Sequence, residues 1–178
     1  MRRKLLKSTF AFAFAAALMC AAGGCGPFWV NPYITVAESP LNWVHIHYYN
    51  VNRNPIRRVS VYLTGMGHVE VKKGTSELVS NDFAKGYENV SWRSIKTYRV
   101  DVDPKHINEI FQNLVNYGLL DREKTGRKSK KEKFDRLIAV KANICNNTYS
   151  EQDNIFEVDP DLAEQLLDVI REFDDPTK

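Results

Sequence analysis

Residues 43–71 have the sequence WVHIHYYNVNRNPIRRVSVYLTGMGHVEV, and the alternation of residue types within it decides the predicted fold. Neighbouring side chains of a strand point to opposite faces, so alternation of apolar with polar or aromatic residues is typical of strands. We predict strands at 43–51, 58–64 and 68–72, with Gly65-Met66-Gly67 as a tight turn that makes the last two a hairpin. In the first strand the alternation places two sets of residues on opposite faces: Val44, Ile46 and Tyr48 on one, and Trp43, His45, His47, Tyr49 and Val51 on the other.

Two helices are predicted after further strands, at 104–117 and 160–173. Each begins at an Asp-Pro pair, Asp103-Pro104 and Asp159-Pro160. Asp caps the free N–H groups of a helix, and Pro suits its first position. Gly118 is expected to end the first helix in a left-handed conformation. The remaining strands are predicted at 95–102, 137–145 and 154–158, and the apolar stripes of the helices contain Ile107, Ile110, Phe111, Leu114 and Val115, then Leu162, Leu166, Val169, Ile170 and Phe173.

This order of strands and helices predicts an α+β domain. Hairpins favour an antiparallel sheet, and the two principal amphipathic helices are expected to pack on one face of it. Val102-Asp103-Pro104 matches Val158-Asp159-Pro160, each after a strand and before an apolar stripe. The match indicates either a duplicated ββα unit or the same capping chemistry reached twice.

The N-terminus has the three parts of a secretory signal. Arg2, Arg3, Lys4 and Lys7 make it basic, residues 10–22 are apolar, and small residues follow. The apolar stretch is shorter than the roughly 20 residues that span a bilayer core. We therefore predict a signal peptide at 1–24.

Ala22-Gly23-Gly24-Cys25 resembles the lipobox of bacterial lipoproteins. The resemblance implies cleavage between Gly24 and Cys25 and a diacylglycerol-modified Cys25 that holds the protein on a membrane of the cell envelope. Gly26 after the cysteine implies the outer membrane, if the host has one. The basic start is also similar to a partial twin-arginine signal. An ordinary signal with an incidental cysteine is the other alternative, and it would allow a disulfide between Cys25 and Cys145.

Removing the signal changes the charge of the chain. The whole sequence has 25 Lys and Arg against 22 Asp and Glu, and four of the basic residues lie in the predicted signal, which leaves a net charge of −1. This balance gives no reason to expect nucleic acid as a partner. Residues 25–40 are predicted to be a lipid-anchored tether or a first strand, and residues 41–178 a single α+β domain.

The metal-ligand candidates are His45 and His47, which share one face of a strand. Zinc needs a third protein ligand, and the sequence does not identify one, so we expect no metal and no cofactor. Asp101 and Asp103 are a candidate carboxylate pair, although Asp103 is explained as a helix cap. Local motifs for phosphate binding, a nucleophile elbow or a zinc protease do not occur in the sequence. No residue is therefore predicted to be catalytic.

The predicted function is a non-enzymatic binding or assembly module of the cell envelope with a protein partner. Its contact residues would be Trp43, Tyr48, Tyr49 and Tyr62, because aromatic side chains are enriched at interfaces, although packing within the sheet explains the same residues equally well. A basic loop at 121–133 could touch anionic lipid or an acidic partner. The alternative is a small envelope hydrolase with a site built from His45, His47, Asp101 or His106.

Overall fold

The computed structural model describes residues 34–76, 91–121, 135–151 and 154–174. The predicted signal peptide, Cys25 and nearly all of the basic loop at 121–133 lie outside the described residues. All of the described residues belong to one compact unit, Pro32–Lys178.

Six strands form one antiparallel sheet, so the predicted α+β class with an antiparallel sheet is confirmed. Their order across the sheet is β4-β3-β2-β1-β5-β6. The central pair is β1 with β2, which register Ile46 opposite Val61. The strands are β1 (Trp43–Asn50), β2 (Ile56–Thr64), β3 (His68–Ser76), β4 (Trp92–Asp101), β5 (Arg136–Ile144) and β6 (Asn147–Glu151).

The helices of the described residues are α1 (Pro104–Asn116), α2 (Ile155–Val158) and α3 (Pro160–Asp174). Asp103 caps α1 by accepting a hydrogen bond from the N–H of Lys105 at 2.9 Å, as its sequence position predicts. Gly118 follows α1 with a φ of 98°, which is the expected left-handed cap.

The strand predicted at 154–158 is wrong, because this segment is the short helix α2. Its start is set by Asn154, whose side-chain oxygen accepts from the N–H of Phe156. The same buried side chain donates from Nδ2 to the carbonyl of Arg136 and accepts from the N–H of Ile138. These bonds tie α2 to β5. The alternation of residue types within 154–158 does not reveal these bonds, because they reach a different strand.

β6 and the first three residues of β4 were not predicted from the sequence. β5 and β6 are joined by Cys145 and Asn146, whose φ values are 50° and 62°. Two-residue hairpin turns favour such positive φ angles, and Asn accepts them more readily than most residues. Cys145 is half-buried and forms no disulfide within the described part of the chain.

The main core lies on one face of the sheet. Helix and strand side chains belong to the same buried cluster, so α1 and α3 cover this face. No helix among the described residues is long and apolar enough to span a membrane. The cluster includes Val44, Ile46, Val61 and Val140 from the strands and Phe111, Leu114, Leu166 and Ile170 from the helices.

Residues 34–39 have no regular secondary structure and lie along α1. Val36 is buried, its N–H donates to Oε1 of Gln112 at 2.8 Å, and its carbonyl accepts from Asn108. The described end of the predicted tether therefore joins the domain on the side that the helices cover.

Candidate functional site

The candidate site is the second face of the sheet, opposite the main core. Antiparallel register places side chains of this face in rows across the strands, because directly paired residues point the same way. The rows, from β5 through β1, β2 and β3 to β4, are Lys141, His45, Tyr62, Glu70 and Arg99; then Ala139, His47, Ser60, Lys72 and Thr97. A third row from β5 to β3 holds Leu137, Tyr49, Arg58 and Gly74.

Three of the four residues of the third row, Leu137, Tyr49 and Arg58, are buried. Tyr49, Leu137 and Ala139 form a small apolar cluster of their own, separate from the main core. Arg58 is only 1% exposed, and its guanidinium lies 3.9 Å from the ring centroid of Trp92 and 5.0 Å from that of Tyr49. Stacking on aromatic rings is a favourable environment for a buried guanidinium.

Gly74 makes room for this stacking. A Cβ at this position would come within 2.8 Å of the carbonyl oxygen of Arg93 and within 3.3 Å of the ring of Trp92. The missing side chain allows β4 to bring Trp92 over Arg58, which pairs with Gly74. Gly74 therefore helps to close this end of the second face.

Toward the other end, five half-buried side chains form what we call the aromatic–basic patch: Trp43, His45, Tyr62, Lys72 and Lys141. The ring centroids of Trp43 and Tyr62 are 6.0 Å apart, and those of His45 and Tyr62 are 5.4 Å apart in an edge-on arrangement. Half-buried aromatic rings next to cationic side chains can bind a partner by both apolar contact and charge.

The aromatic–basic patch is flanked by one acidic side chain. Glu70 contacts Lys72 at 2.8 Å and Arg99 at 2.8 Å. These contacts hold the pKa of Glu70 below its usual value, mainly through the hydrogen bond from Lys72. The carboxylate therefore stays charged and neutralises only one of the two neighbouring cations.

His45 and His47 are adjacent, as their spacing in the strand predicts, with ring centroids 4.0 Å apart. His47 is 4% exposed, and burial is the main reason that its pKa lies well below the ordinary value. The positive charges of His45, Arg58, Lys141 and Lys72 lower the pKa further. The cationic side chains of Arg58, Lys141 and Lys72 also oppose a bound metal cation.

A metal site is not assembled from the described residues. No group of three or more His, Cys, Asp or Glu side chains among them is arranged to hold an ion. Nε2 of His45 instead shares a hydrogen bond of 2.8 Å with Oγ of Ser60. Such a pair resembles the start of a nucleophilic site, but Ser60 is only 3% exposed, which leaves its hydroxyl little access to a substrate.

The structure places the other predicted hydrolase residues elsewhere. Asp101 lies 2.6 Å from Nδ1 of His68, at the paired ends of β3 and β4. His106 lies on α1, 2.6 Å from Glu172 of α3. The two members of the candidate carboxylate pair, Asp101 and Asp103, also have different roles, since Asp101 contacts His68 and Asp103 caps α1. These side chains and the two histidines of β1 thus occupy three different places.

Two of the four predicted contact residues, Trp43 and Tyr62, lie in the aromatic–basic patch. Tyr49 is on the same face but fully buried. Tyr48 is half-buried and packs against the main core on the opposite face, so it lies outside the aromatic–basic patch, and its contact with a partner stays a prediction. Its position follows from the alternation itself, which puts it on the side of Val44 and Ile46.

The cationic members of the second face were not predicted from the sequence. Alternation along β2 could have revealed Arg58 and its neutral neighbour Ser60, since both lie on the face opposite Val59 and Val61. Lys141 comes next to His45 through the pairing of β5 with β1, and Lys72 enters the row of His47 through the pairing of β3 with β2. No local pattern contains that information.

Comparison with known proteins gives no relationship on which a function could rest: no protein-family model matches the chain, and no curated protein is similar to it at a significant level.

Proposed function

We propose that this chain is a lipid-anchored binding module of a bacterial cell envelope, and that its aromatic–basic patch contacts an anionic partner protein. The anchor is Cys25, released by cleavage after Gly24, and the described domain is the part that meets the partner. The molecule has no enzymatic role in this proposal.

The observation that carries the proposal is the difference between the two faces of the sheet. One face is covered by α1 and α3 and contributes most of the core. The second face keeps five aromatic and basic side chains half-exposed in the aromatic–basic patch. Aromatic side chains that remain partly exposed next to charged ones are typical of protein interfaces.

Charge supports an anionic partner. In the two rows that hold four of the five patch residues, His45, Tyr62, Lys72 and Lys141, the cations Lys72, Lys141 and Arg99 stand against the carboxylate of Glu70. The chain from Cys25 onward is close to neutral, so this excess of positive charge is local. A local positive potential attracts and orients an oppositely charged surface.

The place where the predicted tether joins the domain is compatible with partner binding at the aromatic–basic patch. Residues 34–36 bond to Asn108 and Gln112 of α1, on the helix-covered side of the domain. The aromatic–basic patch lies on the opposite side of the sheet. A partner can thus reach the patch without competing with the described end of the tether.

A ββα duplication, with the two principal helices as its repeated element, also stays a proposal. The hairpins β3–β4 and β5–β6 precede a helix in both halves and lie at opposite ends of the sheet, which supports it. The cap residues differ, since Asp103 is exposed and Asp159 is buried. The alternative, in which the same capping chemistry arose twice without a duplication, explains this difference in exposure equally well.

The partner can be sought with a photo-crosslinking residue at Tyr62, compared with the same residue at Lys105, which is exposed at the start of α1. In envelopes of the native host we expect a discrete adduct from position 62 and none from position 105. Lys141→Glu should lower its yield about tenfold, which corresponds to 1.4 kcal/mol of binding free energy, whereas Lys105→Glu should leave it unchanged. Equal adducts from both positions, or none from position 62, would refute the proposed contact surface.

A further inference from the structure

We propose that the outer edge of β4 binds an extended acidic segment of a partner protein by strand addition. The inference rests on the proposed function in one respect, which is that the partner is an anionic protein. It assigns the edge of β4 as a contact surface in place of the aromatic–basic patch, and it names the binding mode.

β4 is the last strand on one side of the sheet, and no described strand pairs with its outer edge. Eight of its ten residues are exposed and the other two are half-buried. Ile95 and Val100 are 50% and 41% exposed, which is unusual for apolar side chains within a sheet. A long exposed edge strand is a template on which another extended chain can pair.

The backbone of β4 presents a regular stretch for such pairing. Val102 donates its N–H to the carbonyl of Gly67, toward β3. Because the N–H and C=O groups of successive strand residues point to alternate sides, Thr97, Arg99 and Asp101 direct theirs away from β3. The irregular part, marked by a register shift at Lys73 and Thr75 and by the positive φ of Ser94, lies before this stretch.

Charge selects the occupant. Arg93, Lys96 and Arg99 lie on β4 and are exposed, and Arg99 also contacts Glu70 of β3. The acidic residue of β4, Asp101, is at the end of the strand and contacts His68. Like charges across a strand pair are destabilising, so the edges of two copies of this chain repel each other. An extended segment rich in Asp or Glu is attracted by the basic side chains of β4, and its backbone can also form the hydrogen bonds of a strand pair.

Residue-resolved hydrogen exchange on the full, isotopically labelled chain tests the inference. The probe is a synthetic ten-residue peptide in which Glu alternates with Val, and the control peptide has Lys in place of Glu. We expect the Glu peptide to slow exchange of the outward N–H groups of Thr97, Arg99 and Asp101 at least tenfold, and the Lys peptide to leave them unchanged.

A matched pair of variants separates backbone pairing from folding. Thr97→Pro removes one outward N–H and no bond to β3, which edge strands tolerate, and Thr97→Val keeps that N–H. The proline variant should bind the Glu peptide at least tenfold more weakly, whereas the valine variant should bind within twofold of the native chain. Lys96→Glu should weaken binding as well without touching the backbone.

Two outcomes would overturn the inference. One is unchanged exchange along β4 in the presence of the Glu peptide. The other is peptide-induced change confined to the aromatic–basic patch, which would leave the proposed function standing and remove strand addition. If exchange along β4 slows but crosslinking at Tyr62 fails, strand addition at β4 is supported. The aromatic–basic patch is then refuted as the contact surface.

Discussion

Arg58 and His47 are polar side chains that are buried on one face of the sheet. Arg58 is among the largest fully buried side chains, and stacking on Trp92 replaces part of its hydration. Burial raises the pKa of Tyr49 to about 12, although the nearby Arg58 favours its charged form. Tyr49 is therefore a neutral phenol at any physiological pH, and the guanidinium remains the charged member of the pair.

Two histidines respond to pH in opposite directions. The pKa of His47 lies well below 6.5 because the side chain is buried and surrounded by cations. The pKa of His106 is raised, mainly by its hydrogen bond to Glu172. The unfolded chain binds a proton more readily than the native state at His47, and less readily at His106. Acid thus opposes folding through His47 and favours it through His106.

We predict that the free energy of unfolding falls as pH drops below about 6.5, where an unfolded histidine begins to bind its proton. A single histidine that stays neutral in the native state contributes a loss of up to about 1.4 kcal/mol per pH unit in this range. Urea unfolding at pH 7.5 and 5.5 measures it. His47→Leu should flatten the dependence.

His106→Gln is the matched control, and it should make the loss of stability in acid steeper, because it removes the group that gains a proton on folding. If His47→Leu and the native chain lose stability equally between the two pH values, the buried neutral state of His47 is wrong.

At the level of secondary structure, each of the two long helices, α1 and α3, begins after a capping Asp and has one apolar stripe. Ile107, Ile110, Phe111, Leu114 and Val115 are the buried residues of α1, and they are the residues that the 3.6-residue period predicts. α3 ends at the sheet, where Asp174 contacts Arg57 at 2.5 Å and the hydroxyl of Tyr98 donates to the carbonyl of Phe173. These contacts tie the last turn of α3 to β2 and β4.

Phe111→Ala and Leu166→Ala should each lower the free energy of unfolding by about 2–5 kcal/mol. Both side chains are fully buried in the main core, so truncation removes apolar contacts and leaves a cavity. Lys105→Ala, on the exposed side of α1, should change stability by less than about 0.5 kcal/mol. Chemical denaturation of the three variants is the measurement. Losses below 0.5 kcal/mol at both core sites would contradict the packing of the helices on the sheet.

At the scale of the whole molecule, a nearly neutral chain carries an uneven distribution of charge. Basic residues stand in excess in the aromatic–basic patch and on β4, while residues 34–36 attach to the helix-covered side. If Cys25 carries lipid, the described domain is held at a membrane by a tether that joins it away from the aromatic–basic patch. The acyl chains of a lipoprotein would provide that attachment.

Cys25→Ser should move the protein from the membrane fraction to the soluble fraction, because the acyl chains have no other attachment site in the proposal. Cys145→Ser is the matched control and should leave the protein in the membrane fraction, since Cys145 is a half-buried residue of the β5–β6 turn. Immunoblotting of separated fractions from the bacterial host reads out both variants. Identical fractionation of the native chain and Cys25→Ser would refute the lipid anchor.

Features that depend on near neighbours in the chain could be predicted from the sequence alone. Alternation along residues 43–71 located three strands and both of their faces, the Asp-Pro pairs located the starts of the two long helices, and Gly118 located the end of α1. These predictions succeeded because side-chain direction in a strand and capping in a helix are set within a few residues. The helix α2 was mistaken for a strand because Asn154 bonds to β5, eighteen residues away in sequence.

Which side chains share a site depends on the tertiary structure. Strand pairing placed Lys141 beside His45 and put Lys72 in the row of His47, on the far side of β2, and it paired Asp101 with His68. Helix packing brought His106 to Glu172. Strand pairing also left β4 at the edge of the sheet, where its basic residues are exposed. Register and strand order come from the packing of the whole chain. A sequence therefore shows which residues a site could use, but it does not show which of them become neighbours in space.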